Sequence, residues 1–407
     1  FFKQKTAYEM RRSLVGSEMC IRDRCLHSSP WSQPGIGDAG GMNVYVRHTC
    51  DELVKAGHDV TCVTLPRSGE VPLPGPMPRW LHVLDLPLAE VGKGSLPEHF
   101  DSITEAVAPF AKDADAVLAH YWISAEVGRR IAAERLTTMF HTTGAAKNAS
   151  SGPGERPEPA HRVEAERRAA QASRAVLVNT PGEGQETARL LNVPLDRFQV
   201  AAPGIDHTVY HPGDTGKPSD VDTRRDRDEI VVGLAGRLQP LKGPQILLEA
   251  LRIDAESLTP GERPLRAWII GDGPSDFMAE LRASAPERVD FLGRLDSNGL
   301  ADRMRDADLW AVPSSSETFG LVAAEAQACG TPVIATDVGG LPHAVGGGWL
   351  VPDRDPASWA RTLRFAASST DERARRAQAA VEHVRELTWP NTARRIAEVL
   401  LSARSHL

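Results

Sequence analysis

A chain of 407 residues with 41% hydrophobic and 25% charged residues is long enough to bury two separate cores. Its formal charge of −7 argues against nucleic acid as the main partner, and no stretch approaches the roughly 18 apolar residues of a membrane span. Five cysteines without a C-x-x-C pair fit a reducing compartment rather than a disulfide scaffold, so a cytoplasmic location is expected.

The chain begins FFKQKTAYEMRRSLVGSEMCIRDR. Residues 1–24 resemble a translated sequencing-library adapter. They hold no apolar run of strand length and no apolar h-region before a small-residue cleavage site. Glu18, Arg22, Asp23 and Arg24 stand where a buried parallel strand should be apolar. The segment is therefore set aside as non-native, and the first strand of the N-terminal sheet is expected to be missing.

Next comes Gly35-Ile-Gly37-Asp-Ala-Gly40, a literal G-x-G-x-x-G. Asn43 is expected to cap a helix that shows Val44, His48 and Leu53 on one face and stops at Gly57. A dinucleotide site wants an acid near the end of the following strand, but that strand closes on Thr64-Leu65-Pro66-Arg67. The NAD-dependent oxidoreductase reading is thus weak.

Apolar runs predict strands over Asp59–Leu65, Leu81–Leu84, Ala116–Ala119, Thr138–His141 and Ala175–Asn179. After the polar stretch DTGKPSDVDTRRDRDE, further strands are predicted over Ile230–Ala235, Arg266–Ile270, Val289–Phe291, Leu309–Val312 and Pro332–Thr336. Helical patterns separate most of them. The alternation predicts an α/β protein with two Rossmann-like domains built on parallel sheets.

In GLAGRLQPLKGPQILLEAL, Arg237 and Lys242 lie in a strand–helix connection, where open α/β sheets bind ligands. Two cations there suit a diphosphate, although alone they read equally well as solvated surface charges. In SSSETFGLVAAEAQACGTPVIAT, Glu317 precedes a helix and Glu325 lies more than a turn inside it. The start of that helix offers free N–H groups to a phosphate, leaving the two acids for sugar and ribose hydroxyls.

Together with VGGLPHAV, these motifs resemble the nucleotide-sugar domain of family-four retaining glycosyltransferases of the GT-B fold. The resemblance runs from about Cys25 to the C-terminus. It implies two Rossmann-like domains whose parallel sheets face each other across a cleft. Residues 25–208 would bind the acceptor, 209–388 the nucleotide sugar, and 389–407 would form a helix packing back on the first domain. Arg237 and Lys242 would hold the diphosphate, Glu325 the ribose, and Glu317 the sugar hydroxyls. Gln33, Pro34, Gly41 and Arg294 would complete the donor site.

The resemblance extends to members that move N-acetylglucosamine from UDP-N-acetylglucosamine to 1D-myo-inositol 3-phosphate, the first step of mycothiol biosynthesis in actinobacteria. On that pattern Lys93, Tyr121, Thr142 and Arg162 grip the acceptor phosphate, while His27, Asp38 and Asn43 line the inositol and the donor. His141 reaches the transferred sugar and joins Glu317, Arg237 and Lys242 as catalytic. Two cations and two hydroxyls do suit a phosphate dianion. GDAGGMNVYV then becomes a loop pressed against donor and acceptor.

The implied chemistry is front-face transfer with retention, the leaving phosphate helping to deprotonate the acceptor. No cofactor or metal is needed, although the pattern leaves room for a structural Mg2+ and for a homodimer. Two alternatives stand beside it: a transferase for another phosphorylated or lipid-linked acceptor, and a non-enzymatic sugar-binding protein. Gly144, where a larger residue is common, and the short Lys93 loop depart from the pattern.

Overall fold

The computed structural model describes residues 19–35, 39–150, 157–213 and 228–404. Two compact units emerge: Phe1–Ala201 with Trp389–Leu407, and Ala202–Thr388.

The strands of the first unit are β1 (Cys20–Arg24), β2 (Asp59–Thr64), β3 (Leu81–Val83), β4 (Ala116–His120), β5 (Leu136–Met139), β6 (Ala175–Val178) and β7 (Phe198–Val200). They form one sheet in the order β3-β2-β1-β4-β5-β6-β7, every pair parallel. The second unit holds β8 (Ile230–Ala235), β9 (Leu265–Ile270), β10 (Val289–Gly293), β11 (Leu309–Val312), β12 (Val333–Thr336) and β13 (Trp349–Val351). Its order is β10-β9-β8-β11-β12-β13, again all parallel. Both sheets reverse their winding once, between β1 and β4 and between β8 and β11. In doubly wound sheets the loops at the carboxyl ends beside that reversal form the ligand crevice.

Apolar runs explain the central strands. β4, β6, β11 and β12 are buried at every residue, as strands covered by helices on both faces must be. Three strands escaped the sequence pattern: β1, β7 and β13. β7 and β13 are edge strands of three residues, too short for a periodicity. β5 lies two residues earlier than expected, which leaves His141 beyond its end.

The first strand corrects the sequence reading. Cys20–Arg24 is not lost to the fold but runs between β2 and β4, in register with Asp59–Val63 and with Ala116–Ala119. The residues before Met19 lie outside the described part. Backbone pairing on both sides is indifferent to side chains, and Met19, Ile21 and Cys25 bury against Tyr45 and Val46 of the helix Gly41–Lys55. The helix Trp389–Arg404 adds Trp389, Ile396 and Leu400 to that core. Two of the charges find partners. Arg22 pairs with Asp59 at 3.0 Å, and the buried Asp23 lies 3.2 Å from His120 Nε2. Arg24, with no exposed surface, leaves its Nε and Nη2 without a hydrogen-bond partner. Burial lowers its pKa to about 10.

The helix after the glycine-rich loop is also capped differently from expectation. Gly40 is the N-cap and Asn43 the third helical residue, its Oδ1 accepting from Gly40 N at 2.9 Å. That is the back-reaching half of a capping box. The buried face is Val46, Thr49, Cys50 and Leu53, whereas Val44 and His48 are partly exposed.

Unpaired buried donors cost about 1–3 kcal/mol each. Arg24→Leu should therefore raise the melting temperature, by about 2–4 °C per kcal/mol for a unit of this size. Thermal unfolding followed by circular dichroism decides it; an unchanged or lower midpoint would mean that the unpaired donors of Arg24 cost the fold nothing.

Candidate active site

In the first unit the site grows from the carboxyl ends of β1, β4 and β5. Tyr121 follows β4 directly and has φ +72°. His141 follows β5 with φ +59°. Non-glycine residues rarely hold this left-handed geometry, and where they do the surrounding structure imposes it.

The Tyr121 ring is a hub. His27, from the loop after β1, packs on it with ring centroids 4.1 Å apart. Lys93 Nζ lies 4.6 Å from its centroid, and the Arg162 guanidinium carbon 5.0 Å. Each cation is held by the ring quadrupole. Thr142 reaches the group through its backbone, its carbonyl accepting from Arg162 Nη2 at 3.1 Å. The fold thus gathers His27, Lys93, Tyr121, Thr142 and Arg162, drawn from five separate sequence segments.

Burial, reinforced by Lys93 and His141, holds His27 well below the usual imidazole range. Its Nδ1 is buried without a partner. Burial likewise raises the Tyr121 phenol. For Arg162 burial opposes the charge, but Tyr121, Glu166 and Glu158 outweigh it and raise the pKa. Arg162 Nη1 sits 2.8 Å from Glu158, which also pairs with Lys147 at 2.7 Å.

A hydrogen-bonded line crosses the ends of β1, β4 and β5. Asp23 Oδ2 meets His120 Nε2 at 3.2 Å, and His120 Nδ1 meets His141 Nε2 at 2.9 Å. Burial first, and His120 second, hold His141 well below its usual range. His141 is therefore neutral, able to exchange hydrogen bonds with hydroxyls rather than to pair with an anion.

The remaining first-unit candidates are more peripheral. Asn43 spends its amide internally, donating to Ser28 Oγ and to the Ser29 carbonyl, both at 2.8 Å. Gln33, Pro34 and Gly41 are exposed, and Asp38 lies outside the described residues.

In the second unit Arg237 and Lys242 follow β8, and Lys242 forms an ion pair with Glu317, which comes after β11. Ser314 Oγ donates to the same Glu317 carboxylate at 3.1 Å. Gly339, at φ +55°, presses so closely on this loop that an added Cβ would stand 2.0 Å from the Glu317 carbonyl. Gly340 N donates to that carbonyl at 2.8 Å. The VGGLPH motif is thus the brace that sets the Glu317 loop. The helix Leu321–Ala328 starts from Gly320, and Glu325 lies a turn inside it. Burial raises the Glu325 carboxyl to about 8. Arg294 stands apart at the surface, 3.9 Å from Asp272.

Among the described residues, the metal-ligand types that converge are Asp23, Cys50 and Cys62, with ligating atoms within 4.8 Å of one another. Two buried thiols beside one acid suit a soft ion and do not fit Mg2+, which takes oxygen ligands. None of the three is among the expected site residues. Also among the described residues, no helix is long and apolar enough to cross a membrane.

Sequence reasoning missed His120, Ser314, Glu158 and Glu166. His120 closes the apolar run AVLAH, and Glu166 stands one helical turn after Arg162; both signals were legible but carry little weight without neighbours.

Comparison with known proteins places this geometry. Residues 229–368 match the family described as "Glycosyl transferases group 1", and residues 39–209 match "Glycosyltransferase Family 4". Among solved structures, sucrose-phosphate synthase from Thermosynechococcus elongatus superposes with a TM-score of 0.80 at 24% identity, over 95% of this chain and 99% of that one. WaaG, a glycosyltransferase of lipopolysaccharide biosynthesis, gives a TM-score of 0.72 at 18% identity, over 93% and 99%. These likenesses define the GT-B fold; the family matches, with the curated relatives, make the protein a nucleotide-sugar-dependent hexosyltransferase.

Curated relatives narrow the class. D-inositol 3-phosphate glycosyltransferase of Jonesia denitrificans is 38% identical over 403 residues, covering 91% of this chain and 92% of that protein. Those of Corynebacterium efficiens and Mycolicibacterium smegmatis are 37% and 38% identical, over 93% and 90% of this chain and 94% and 87% of theirs. The chain belongs to the D-inositol 3-phosphate glycosyltransferase family.

A carboxyl raised above its unfolded value keeps its proton in the folded state, so its contribution to stability is lost as pH rises toward the folded pKa. For Glu325 that window is about pH 4.5 to 8. The melting temperature of Glu325→Gln relative to the parent should therefore increase steadily between pH 5 and 8. A pH-independent difference would place the Glu325 carboxyl in water.

Proposed function

We propose that the protein transfers N-acetylglucosamine from UDP-N-acetylglucosamine to 1D-myo-inositol 3-phosphate, with retention at the anomeric carbon. The observation that carries the acceptor is the pair of cations, Lys93 and Arg162, gathered at the Tyr121 ring. A phosphate dianion needs such paired donors, and the relatives' name supplies the inositol. His27, neutral and with an unpartnered Nδ1, is suited to a ring hydroxyl.

The donor reading rests on the loops after β8 and β11. Arg237 and Lys242 stabilise the leaving diphosphate electrostatically, as preorganised donors do where charge develops. Glu317 holds the sugar hydroxyls and keeps Lys242 in place through their ion pair. Glu325 accepts from the ribose. His141 orients the transferred sugar, and the leaving phosphate removes the acceptor proton. The chain's own cations supply the charge neutralisation that a metal gives other transferases, and no step runs through Mg2+.

The decisive experiment is a donor–acceptor panel read by mass spectrometry, with the product anomer assigned by NMR. The α-linked N-acetylglucosaminyl inositol phosphate is expected. Preference for a sugar phosphate or lipid acceptor would replace the acceptor, and calorimetric binding of NAD but not UDP would replace the class.

Arg237→Ala and Lys242→Ala should each lose about 3 kcal/mol of transition-state stabilisation, roughly 10²-fold in kcat/KM. Near-parental kcat/KM in both would remove them from the leaving-group site.

A further inference from the structure

We propose that Glu166 is a positioning residue for phosphate binding: it locks the Arg162 guanidinium and the Thr142–Gly144 turn into one geometry, while Glu158 serves as the exchangeable partner that an incoming phosphate displaces. The inference rests on the acceptor reading above.

Arg162 carries two glutamates, and they differ in kind. Glu166 follows it by four residues on the helix Ala160–Ala172, the spacing that brings side chains together on one face. Its carboxylate has no exposed surface. One oxygen accepts from Arg162 Nε at 2.8 Å, and Gly144 N donates to both oxygens at 2.9 and 2.8 Å. The same guanidinium closes the circuit through Nη2 to the Thr142 carbonyl. Gly144 makes room for this: an added Cβ would stand 3.1 Å from Arg162 Nε and 3.2 Å from its Cδ. The glycine that departs from the family's pattern thus serves the close approach of Arg162 to the turn.

Glu158 holds only Nη1, is 24% exposed at its side chain, and is shared with Lys147. A carboxylate that reaches water can leave an ion pair at small cost. One sealed from water cannot, because nothing would solvate it. An anion arriving at Arg162 therefore takes the Nη1 edge from Glu158 and leaves the Glu166 clamp intact. The two substitutions should act in opposite directions, although both remove a negative charge beside the same cation.

The test uses the full chain and inorganic phosphate as probe, measured by titration calorimetry on the parent, Glu166→Gln, Glu166→Asp and Glu158→Gln. Glu166→Gln should weaken phosphate about tenfold, the scale of one charge-assisted hydrogen bond, and Glu158→Gln should strengthen it. Glu166→Asp, which keeps the charge, should fall between parent and Gln. In turnover, Glu166→Gln should raise KM for inositol 3-phosphate with KM for the nucleotide sugar unchanged, and the penalty should vanish with unphosphorylated inositol. UDP affinity and melting curves establish that each variant is folded.

Equal phosphate affinity in parent and Glu166→Gln would overturn the proposal, as would equal losses in both glutamate variants or a parent that does not bind phosphate. A parent that binds phosphate with these variant effects, yet does not glycosylate inositol 3-phosphate, would support the clamp and overturn only the acceptor identity.

Discussion

Everything in this molecule that could do chemistry depends on the parallel hydrogen-bond ladder. Pairing every strand in the same sense sends all carboxyl ends to one side of each sheet, and the single reversal of winding opens a gap between the flanking loops. His27, Tyr121 and His141 hang from the ends of β1, β4 and β5; the Arg237, Glu317 and Gly339 loops hang from β8, β11 and β12. Residues nearly a hundred positions apart in the chain, such as Asp23 and His120, meet because strand order makes their strand ends neighbours. Of the four non-glycine residues with positive φ among the described residues, Tyr121 and His141 each lie just past the end of a strand.

The sequence was most legible where burial is complete. Continuous apolar runs marked the inner strands, and the motifs of the second unit sit in strand–helix connections, where their spacing placed them. Legibility failed in three ways. Very short edge strands such as β13 leave no pattern to count. Asn43 looked like a cap because its residue type favours one, but it works from three positions inside the helix. The charged stretch CIRDR looked impossible as a buried strand, yet backbone pairing on two sides, the Arg22–Asp59 pair and the Asp23–His120 contact hold most of it. Arg24 is where the objection from polarity survives.

The candidate site was legible as a set of residues but not as a network. Lys93, Tyr121 and Arg162 came from matching a pattern; that two of them lie over the ring of the third needed coordinates. The supporting acids were invisible for a physical reason. Glu158 and Glu166 stand in a helix start rich in charge, PEPAHRVEAERRA, where any acid reads as a solvated face. Burial alone separates them, and burial depends on the Thr142–Gly144 turn folding over the helix.

The bridge that Glu158 makes between Lys147 and Arg162 has a consequence for how the site would respond to its surroundings. The two cations are not bare: a tethered counter-ion already sits between them. A phosphate entering there performs an ion exchange, in which one anion is released to solvent as another is taken up. Salt would then compete with a process that changes local charge by less than the full phosphate charge, so affinity should fall with ionic strength more gently than two unpaired cations would imply.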